Sequence, residues 1–348
     1  MTDAQNVTDR PKGHYLGRFI GRHKALAILL LIAALFVGLV FGWGLWLTSR
    51  LGQVERFPVS AGPEAERPAR VQGRASEAVN VLVVGADDPA GRGGLFPMLQ
   101  RNEWEPGAFR SDVLMVAHLS ADRRRMQFVS IPRDSYVPVP GHGRTKINAA
   151  FSYGGPSLLV QSVEALTQIR IDHVAVIDFA NFSGLVDTLG GVEVTMAGES
   201  KPTRLNGDES LEYVRARKNL PRGDLDRVQR QQNVLRAIFH ELVDVGTLAN
   251  PARVSRLVGD LHSYVAVDDG LSTGRMRSLG VGARHLKPAE VRFVTTPVLG
   301  TPMIGGASVV TLDVSGTRDM FTALAEDRFE EWAVDHHLDQ LPAPGGVD

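Results

Sequence analysis

The chain contains no cysteine, which excludes a disulfide framework, thiolate metal ligands and a cysteine nucleophile. It also lacks a surplus of charge. Lys and Arg together number 38 and Asp and Glu 39, for a net charge of -1, which argues against a broad nucleic-acid-binding surface. The histidines are scattered, with no H-x-x-x-H pair to hold zinc. There is no G-x-S-x-G and no Walker A loop, so a hydrolase elbow and a nucleotide triphosphatase site lack support. No internal repeat is visible. What is present is 348 residues, 43% of them hydrophobic, enough for one large domain with appendages or for two small ones.

Ala25 to Leu47 is an apolar run without a charge, long enough as a helix to span a hydrocarbon core of about 30 Å. Arg10, Lys12, Arg18, Arg22 and Lys24 precede it, and only Arg50 and Arg56 follow closely. The positive-inside rule then predicts a cytoplasmic tail at 1–24, one uncleaved transmembrane helix at 25–47 and an extracellular remainder. Trp43 and Trp46 sit where an aromatic belt would lie. A cleaved signal peptide fits less well, because the run exceeds a 7–15-residue apolar region and no A-x-A pattern follows. Residues 48–78, rich in Pro, Gly, Ala, Glu and Arg, read as a flexible extracellular linker.

From Val79 short β-branched runs alternate with helical patterns. Val79–Gly85, Asp112–Leu119, Met126–Ile131, His173–Phe179, Val192–Met196 and Val291–Val298 read as strands. Asp122-Arg123-Arg124-Arg125 reads as a hairpin connection. Pro156–Gln168, Asn181–Leu189, Asp208–Arg217 and Asp226–Val243 read as helices. Strands and helices mixed in this order predict a layered α/β domain with a mixed sheet. The end of the chain, from Leu338, reads as frayed.

Charge gathers beside these strands in four places: Asp87-Asp88; Arg110-Ser111-Asp112; Arg133-Asp134 followed by Lys146; and Arg215-Ala216-Arg217 followed by Asp224, Arg227 and Gln231. Asp87 and Asp112 offer hard oxygen ligands to Mg²⁺, which usually keeps water and takes one or two carboxylates plus substrate phosphate oxygens. Arg110, Arg133, Arg215, Arg217 and Arg227 offer planar forks matched to phosphate. Few acids among many arginines is the composition a pyrophosphate site requires. Arg215 and Arg217 would diverge in a regular helix and converge at a helix end near Pro221. Taken singly, each segment is more often a surface turn or a solvated ion pair.

Taken in order, NVLVVGAD, FRSDVLMVAHLS, VSIPRDSYVPVPGHGRTKINAAFSYGGP, FANFSGLVDTLGGVEV and the block running from LNGDESLEYVRARKNLPRGD to RVQRQQNVLRAI are no longer weak. They resemble the successive core blocks of the LytR-CpsA-Psr family, closely over residues 79–243 and by element order to about Glu326. The resemblance implies a three-layer α-β-α sandwich with a mixed central sheet over 79–326, preceded by one transmembrane helix and followed by a tail at 327–348. It implies a phosphotransferase that moves a polyprenyl-pyrophosphate-linked glycopolymer onto peptidoglycan as a phosphodiester, dependent on Mg²⁺ or Mn²⁺, and releases polyprenyl phosphate.

By motif position Asp87 and Asp112 would approach the metal, and Arg110, Arg133, Arg215, Arg217, Arg227 and Gln231 would bind the pyrophosphate or support that shell. Lys146 and Asp224 would assist, and Asp134 would orient Arg133 or act as base. A prenyl pocket would draw on Phe151, Leu159, Val163, Phe179, Phe182, Leu185, Val234, Leu235 and Ile238. The stretch 89–109 departs from the family pattern and reads as a surface insertion or as a flap. A lipid-pyrophosphate hydrolase and a non-catalytic regulatory protein of the envelope are the rival readings.

Overall fold

In the computed structural model the described residues are 44–87, 94–196, 199, 201–216, 221–243, 250–342 and 346–347. Most of the apolar run 25–47 therefore lies outside them; its last residues, 44–47, are helical. Among the described residues no helix is long and apolar enough to cross a membrane.

Eight strands form the central sheet: β1 (Glu55–Phe57), β2 (Val79–Asp87), β3 (Arg110–Leu119), β4 (Met126–Ser130), β7 (His173–Asp178), β10 (Val265–Asp268), β11 (Val291–Thr295) and β16 (Asp339–Gln340). Their order is β1-β10-β7-β2-β3-β4-β11-β16. The pairs β1–β10, β7–β2 and β4–β11 are parallel and the others antiparallel, so the sheet is mixed as expected. β3 and β4 form the expected hairpin. Asp122 accepts from the Ser120 hydroxyl at 2.7 Å and the Arg124 amide at 3.0 Å, while Arg123 takes φ 61°. This is the Asx-stabilised turn that Asp and a tolerated left-handed residue provide.

The strands are β-branched and apolar on both faces because both faces are covered. One layer is α1 (Leu95–Arg101), α2 (Ile147–Thr167), α8 (Val314–Ala325) and α9 (Phe329–Val334), packed on Leu82, Val84, Leu114 and Val116. The other is α3 (Phe179–Leu189), α4 (Gly207–Arg215) and α5 (Asp224–Val243), packed on Val113 and Met115. At the β1 and β10 flank, α6 (Pro251–Tyr264) and α7 (Thr273–Gly282) close a smaller cluster around Val54, Val267 and Leu271. The remaining short strands are β5 (Tyr136–Val139), β6 (Gly143–Lys146), β8 (Val192–Val194), β9 (Thr203–Leu205), β12 (Val298–Gly300), β13 (Met303–Ile304), β14 (Ala307–Ser308) and β15 (Thr311–Leu312).

Three expectations need correction. The linker is not a stalk from residue 54 onward: β1 joins the sheet, Phe57 is buried, and Arg67 grips the buried Glu164 at 3.0 and 2.5 Å. Polar, Pro-rich composition hid this because one apolar side chain and one buried ion pair suffice to seat an extended segment. The tail is not frayed at Leu338: Gln340 and Asp339 pair with Val294 and Thr295, and Val347 is buried. The stretch 94–109 is neither a loose insertion nor a flap, since Leu95, Leu99 and Phe109 are core residues. Trp104 packs edge-on against Phe151 with centroids 4.9 Å apart. Trp104 fits only because α2 kinks at Gly155, where φ is +62° and an added Cβ would stand 2.9 Å from the indole.

Candidate functional site

The carboxyl ends of β2, β4, β7 and β11 and the start of β3 lie along one edge of the sheet. This is the edge where open α/β sheets hold ligands. Asp87, the last residue of β2, pairs across from Arg110, the first of β3. A register shift follows: Gly85 opposes Val113 and Ala86 opposes Ser111, leaving Asp112 as an extra residue. This β-bulge has a consequence for the site. By simple alternation Arg110 would share the face of Leu114 and Val116. The extra residue moves Arg110 to the Val113 face, across from Asp87, where it stays exposed.

Asp112 hydrogen-bonds Arg133, the second residue after Ile131 at the end of β4. Asp87 accepts from Arg215 Nη2 at 2.9 Å. Arg215 is the last residue of α4, and the chain leaves the helix at Ala216 with ψ 132°. A cation in the last turn is favoured by the helix dipole, and the other end is fixed by a capping box. There Asn206 Oδ1 accepts from the Glu209 amide at 3.0 Å, and Glu209 Oε2 accepts from the Asn206 amide at 2.8 Å. Gly207 then lets α4 approach α3 closely, since a Cβ there would meet the Ser183 carbonyl at 2.1 Å. The aim of Arg215 is thus set by packing two turns away.

From α5, Arg227 and Gln231 lie one turn apart and are both buried. Gln231 Nε2 reaches the Asp112 carbonyl at 3.5 Å. The neighbouring Gln232 is spent on structure, donating to Ser130 Oγ at 2.8 Å, the Val294 carbonyl at 3.1 Å and Thr295 Oγ1 at 3.2 Å. Arg230 sits over the Tyr213 ring, 5.0 Å from its centroid. Asp134 is held by Lys146 at 3.1 Å. Asp112 is a carboxylate partner of Arg133, and Lys146 at the end of β6 is a cation that reaches Asp134. Arg217 and Asp88 lie outside the described residues, as does the side chain of Asp224, which opens α5.

A narrow apolar crevice of about 30 Å³ adjoins these charges, lined by Val83, Val113, Phe182, Val214, Val234 and Leu235 and bordered by Gln231. Val113 follows Asp112 and Val214 precedes Arg215, so the apolar walls and the charged rim come from the same elements. Of the expected prenyl-pocket residues, Phe182, Val234 and Leu235 line it, and Ile238 packs in the same cluster. Leu185 is buried on α3. Phe151, Leu159 and Val163 are corrected: they belong to α2 and pack on the opposite face of the sheet. Helical spacing tells which residues are buried, not which face of a sheet covers them. The Phe179 side chain lies outside the described residues.

Sequence reasoning missed the residues that fix the start of α5. Asp226 is buried and accepts from the Arg222 amide and Nε, both at 2.6 Å, and Gln229 Nε2 reaches Asp339 at 3.1 Å. Asp226 stands one position from Arg227, and its apparent membership of a solvated charge run concealed the difference.

The LytR_cpsA_psr family model matches residues 59–326. The chain belongs to this family. A 32% identical relative from Corynebacterium glutamicum, the probable cell wall biosynthesis protein LcpB, is matched over 84% of this chain and 69% of its own length. The cell wall biosynthesis protein LcpA of the same organism is 28% identical over 92% of this chain and 70% of its own length. Among solved structures, TagT bound to LIIa-WTA superposes with a TM-score of 0.58 at 23% identity, covering 78% of this chain and 99% of that one. The mixed sheet between helical layers is the fold of the family.

Proposed function

We propose that this LytR_cpsA_psr protein is a membrane-anchored glycopolymer transferase. It takes a polyprenyl-pyrophosphate-linked glycan and joins it to peptidoglycan through a phosphodiester. The observation that carries this reading is the pair of guanidinium–carboxylate contacts, Arg215–Asp87 and Arg133–Asp112, at the rim of an apolar crevice. A lipid pyrophosphate has the complementary form, with an apolar chain, a multiply charged head and a polar glycan. The cell wall biosynthesis relatives and the TagT complex with LIIa-WTA support it.

The residues divide the work by chemistry. Arg110, Arg133 and Arg215, with Arg227 behind them and Arg217 beyond Ala216, neutralise the pyrophosphate and the charge that develops on the transferring phosphoryl group. A peptidoglycan hydroxyl attacks the phosphorus nearer the glycan. The bond from that phosphorus to the bridging oxygen breaks, and polyprenyl phosphate leaves with the bridging oxygen. Asp134 offers an acceptor oxygen for the hydroxyl proton, with Lys146 holding it in place. Gln231 and Asp224 support the shell.

The donor set also suits Mg²⁺. Asp87 and Asp112 each engage an arginine through Oδ1 and supply two carboxylates, which Mg²⁺ supplements with phosphate oxygens and water. Bound there, Mg²⁺ or Mn²⁺ would supply further charge neutralisation at the phosphoryl oxygens.

A crevice of about 30 Å³ has room for no more than about two waters, so a prenyl chain would need it to widen. The run 25–47 would anchor the domain on the outer membrane face, raising its effective concentration near a membrane-borne donor. The test is turnover by the full chain, in detergent, of a polyprenyl-pyrophosphate glycan with a peptidoglycan acceptor. Mg²⁺-dependent glycan attachment that fails in folded Asp112→Ala supports the reading. Release of free phosphorylated glycan despite acceptor makes the protein a hydrolase, and turnover indifferent to Asp112 and Mg²⁺ overturns the site.

A further inference from the structure

A two-stranded ribbon follows the carboxyl end of β11, in which β12 pairs with β15 and β13 with β14. Its returning strand is tied to the phosphoryl site. The Val310 amide donates to the Asp134 carbonyl, and the Tyr136 amide donates to the Val310 carbonyl, both at 2.8 Å. Ile304 pairs with Ala307, so the tip is a two-residue turn of Gly305 and Gly306, with φ of 59° and 79°, the positive values that such a turn demands. Met303 and Ile304 are therefore the last large side chains before the tip.

We infer that this tip is a second membrane contact, which seats the site-bearing edge of the domain on a lipid bilayer through Leu299, Met303 and Ile304. The inference rests on the membrane-anchored reading above.

Composition is the first argument. Leu299, Met303 and Ile304 are 73%, 66% and 38% exposed. Single exposed apolar side chains are ordinary, but three within six residues of one ribbon form a patch. Residues 293–312 carry no charge at all, whereas an exposed ribbon edge is normally guarded by charged side chains. The β3–β4 hairpin turns at the opposite edge of the sheet and has that guard, in Asp122, Arg123, Arg124 and Arg125. The two hairpins thus differ as a surface that meets hydrocarbon differs from one that meets water.

Position is the second. β1 runs parallel to β10, and β10 antiparallel to β7, so the amino end of β1 lies on the same edge as the carboxyl ends of β2, β7 and β11. The chain enters the sheet there, with Glu55 eight residues after Leu47, the last residue of the apolar run. In sheet order β1 and β11 are six strand spacings apart, or about 29 Å at about 4.8 Å each. Asp87, Arg110, Asp112 and Arg133 come from the strands between them. A tether at one end of this edge leaves the domain free to swivel. A contact at the other end holds the arginines toward a membrane-borne donor. Three apolar side chains bind a bilayer weakly on their own, since even one acyl chain is a marginal anchor. On a tethered domain the step is intramolecular, and a weak, reversible contact suffices.

The test is fluorescence of the full chain in phosphatidylcholine vesicles, with and without brominated acyl chains. The chain has no cysteine, so Met303→Cys supplies the sole thiol for an environment-sensitive fluorophore. Its emission should be blue-shifted and quenched by the brominated lipid. The same fluorophore on Arg124→Cys, at the exposed turn of the charged hairpin, should show neither effect. Ile304→Glu in the Met303→Cys chain should remove the quenching and leave the melting temperature unchanged. Absent quenching at Met303, equal quenching at both positions, or quenching unmoved by Ile304→Glu overturns the inference. So does a disulfide between two Met303→Cys chains that forms in place of quenching, which would make the ribbon a contact between copies. Glycan transfer measured on the same vesicles keeps the two readings apart. Quenching without transfer leaves the contact standing and removes the transferase reading, and transfer without quenching does the reverse.

Discussion

Both ends of the central sheet carry arginine–carboxylate clusters, and they are built differently. At the amino ends of β2 and β7 the pair Arg67–Glu164 is buried and saturated, while Arg170 reaches the exposed Glu64. Glu164, with a side chain 3% exposed, takes Arg67 Nε and Nη2 and the Ile171 amide. Asp172 takes the Asn80 amide at 2.8 Å, and Arg170 donates to the Pro68 carbonyl at 2.6 Å. Each of these contacts joins a segment to the domain. At the carboxyl ends Arg215 and Asp87 are 49% and 32% exposed, while Arg133 and Asp112 are 14% and 23% exposed. The comparison separates two uses of the same residue types. A saturated pair such as Arg67–Glu164 holds the chain, whereas a half-open pair such as Arg215–Asp87 is available to exchange partners for phosphate and a cation.

The largest expected effect breaks the structural end. Arg67→Ala leaves Glu164 buried without its cation and should cost about 3–5 kcal/mol of stability, read by urea unfolding. Turnover per folded molecule should not change. The second breaks the functional end: Arg215→Ala should lower glycan transfer about 10²–10³-fold with an unchanged melting temperature. A third joins the two. Gly207→Ala drives a Cβ into the Ser183 carbonyl and should cost about 1–3 kcal/mol while also lowering transfer, because Arg215 loses its aim.

The smallest sharpens the contrast at a plain cap. The Asp313 carboxyl lies below its ordinary value, chiefly through the Gly316 amide and then the Ser315 hydroxyl, and Asp313→Ala should cost about 1 kcal/mol. A depressed carboxylate stabilises above its unfolded value of about 3.9. That stability is lost as pH falls through the lower folded value, so the difference between wild type and variant should vanish in acid, with transfer at neutral pH untouched.

Much of this was legible in the sequence, for identifiable reasons. The strands were visible because burial on both faces demands unbroken apolar runs. The charged segments were visible because they interrupt those runs at strand ends. Asp87, Asp112, Arg133 and Arg215 meet in the pairs their chemistry allows. The bulge at Asp112 was not legible, since one extra residue leaves no compositional mark. Nor was the division of α2 and α5 between opposite faces, which depends on strand order. The Lys146 partner of Asp134 was hidden by the β5–β6 hairpin between them. The seating of 54–78 and 338–341 rests on a few long-range contacts that no local pattern encodes.

The most direct test of the central claim is ³¹P analysis of peptidoglycan recovered after incubation with the full chain, Mg²⁺ and a polyprenyl-pyrophosphate glycan. The account predicts a phosphodiester bound to the insoluble wall polymer, present with wild type and lost with Arg215→Ala. Phosphorus found only as soluble phosphorylated glycan, or a wall-bound phosphodiester formed equally by Arg215→Ala, would contradict it.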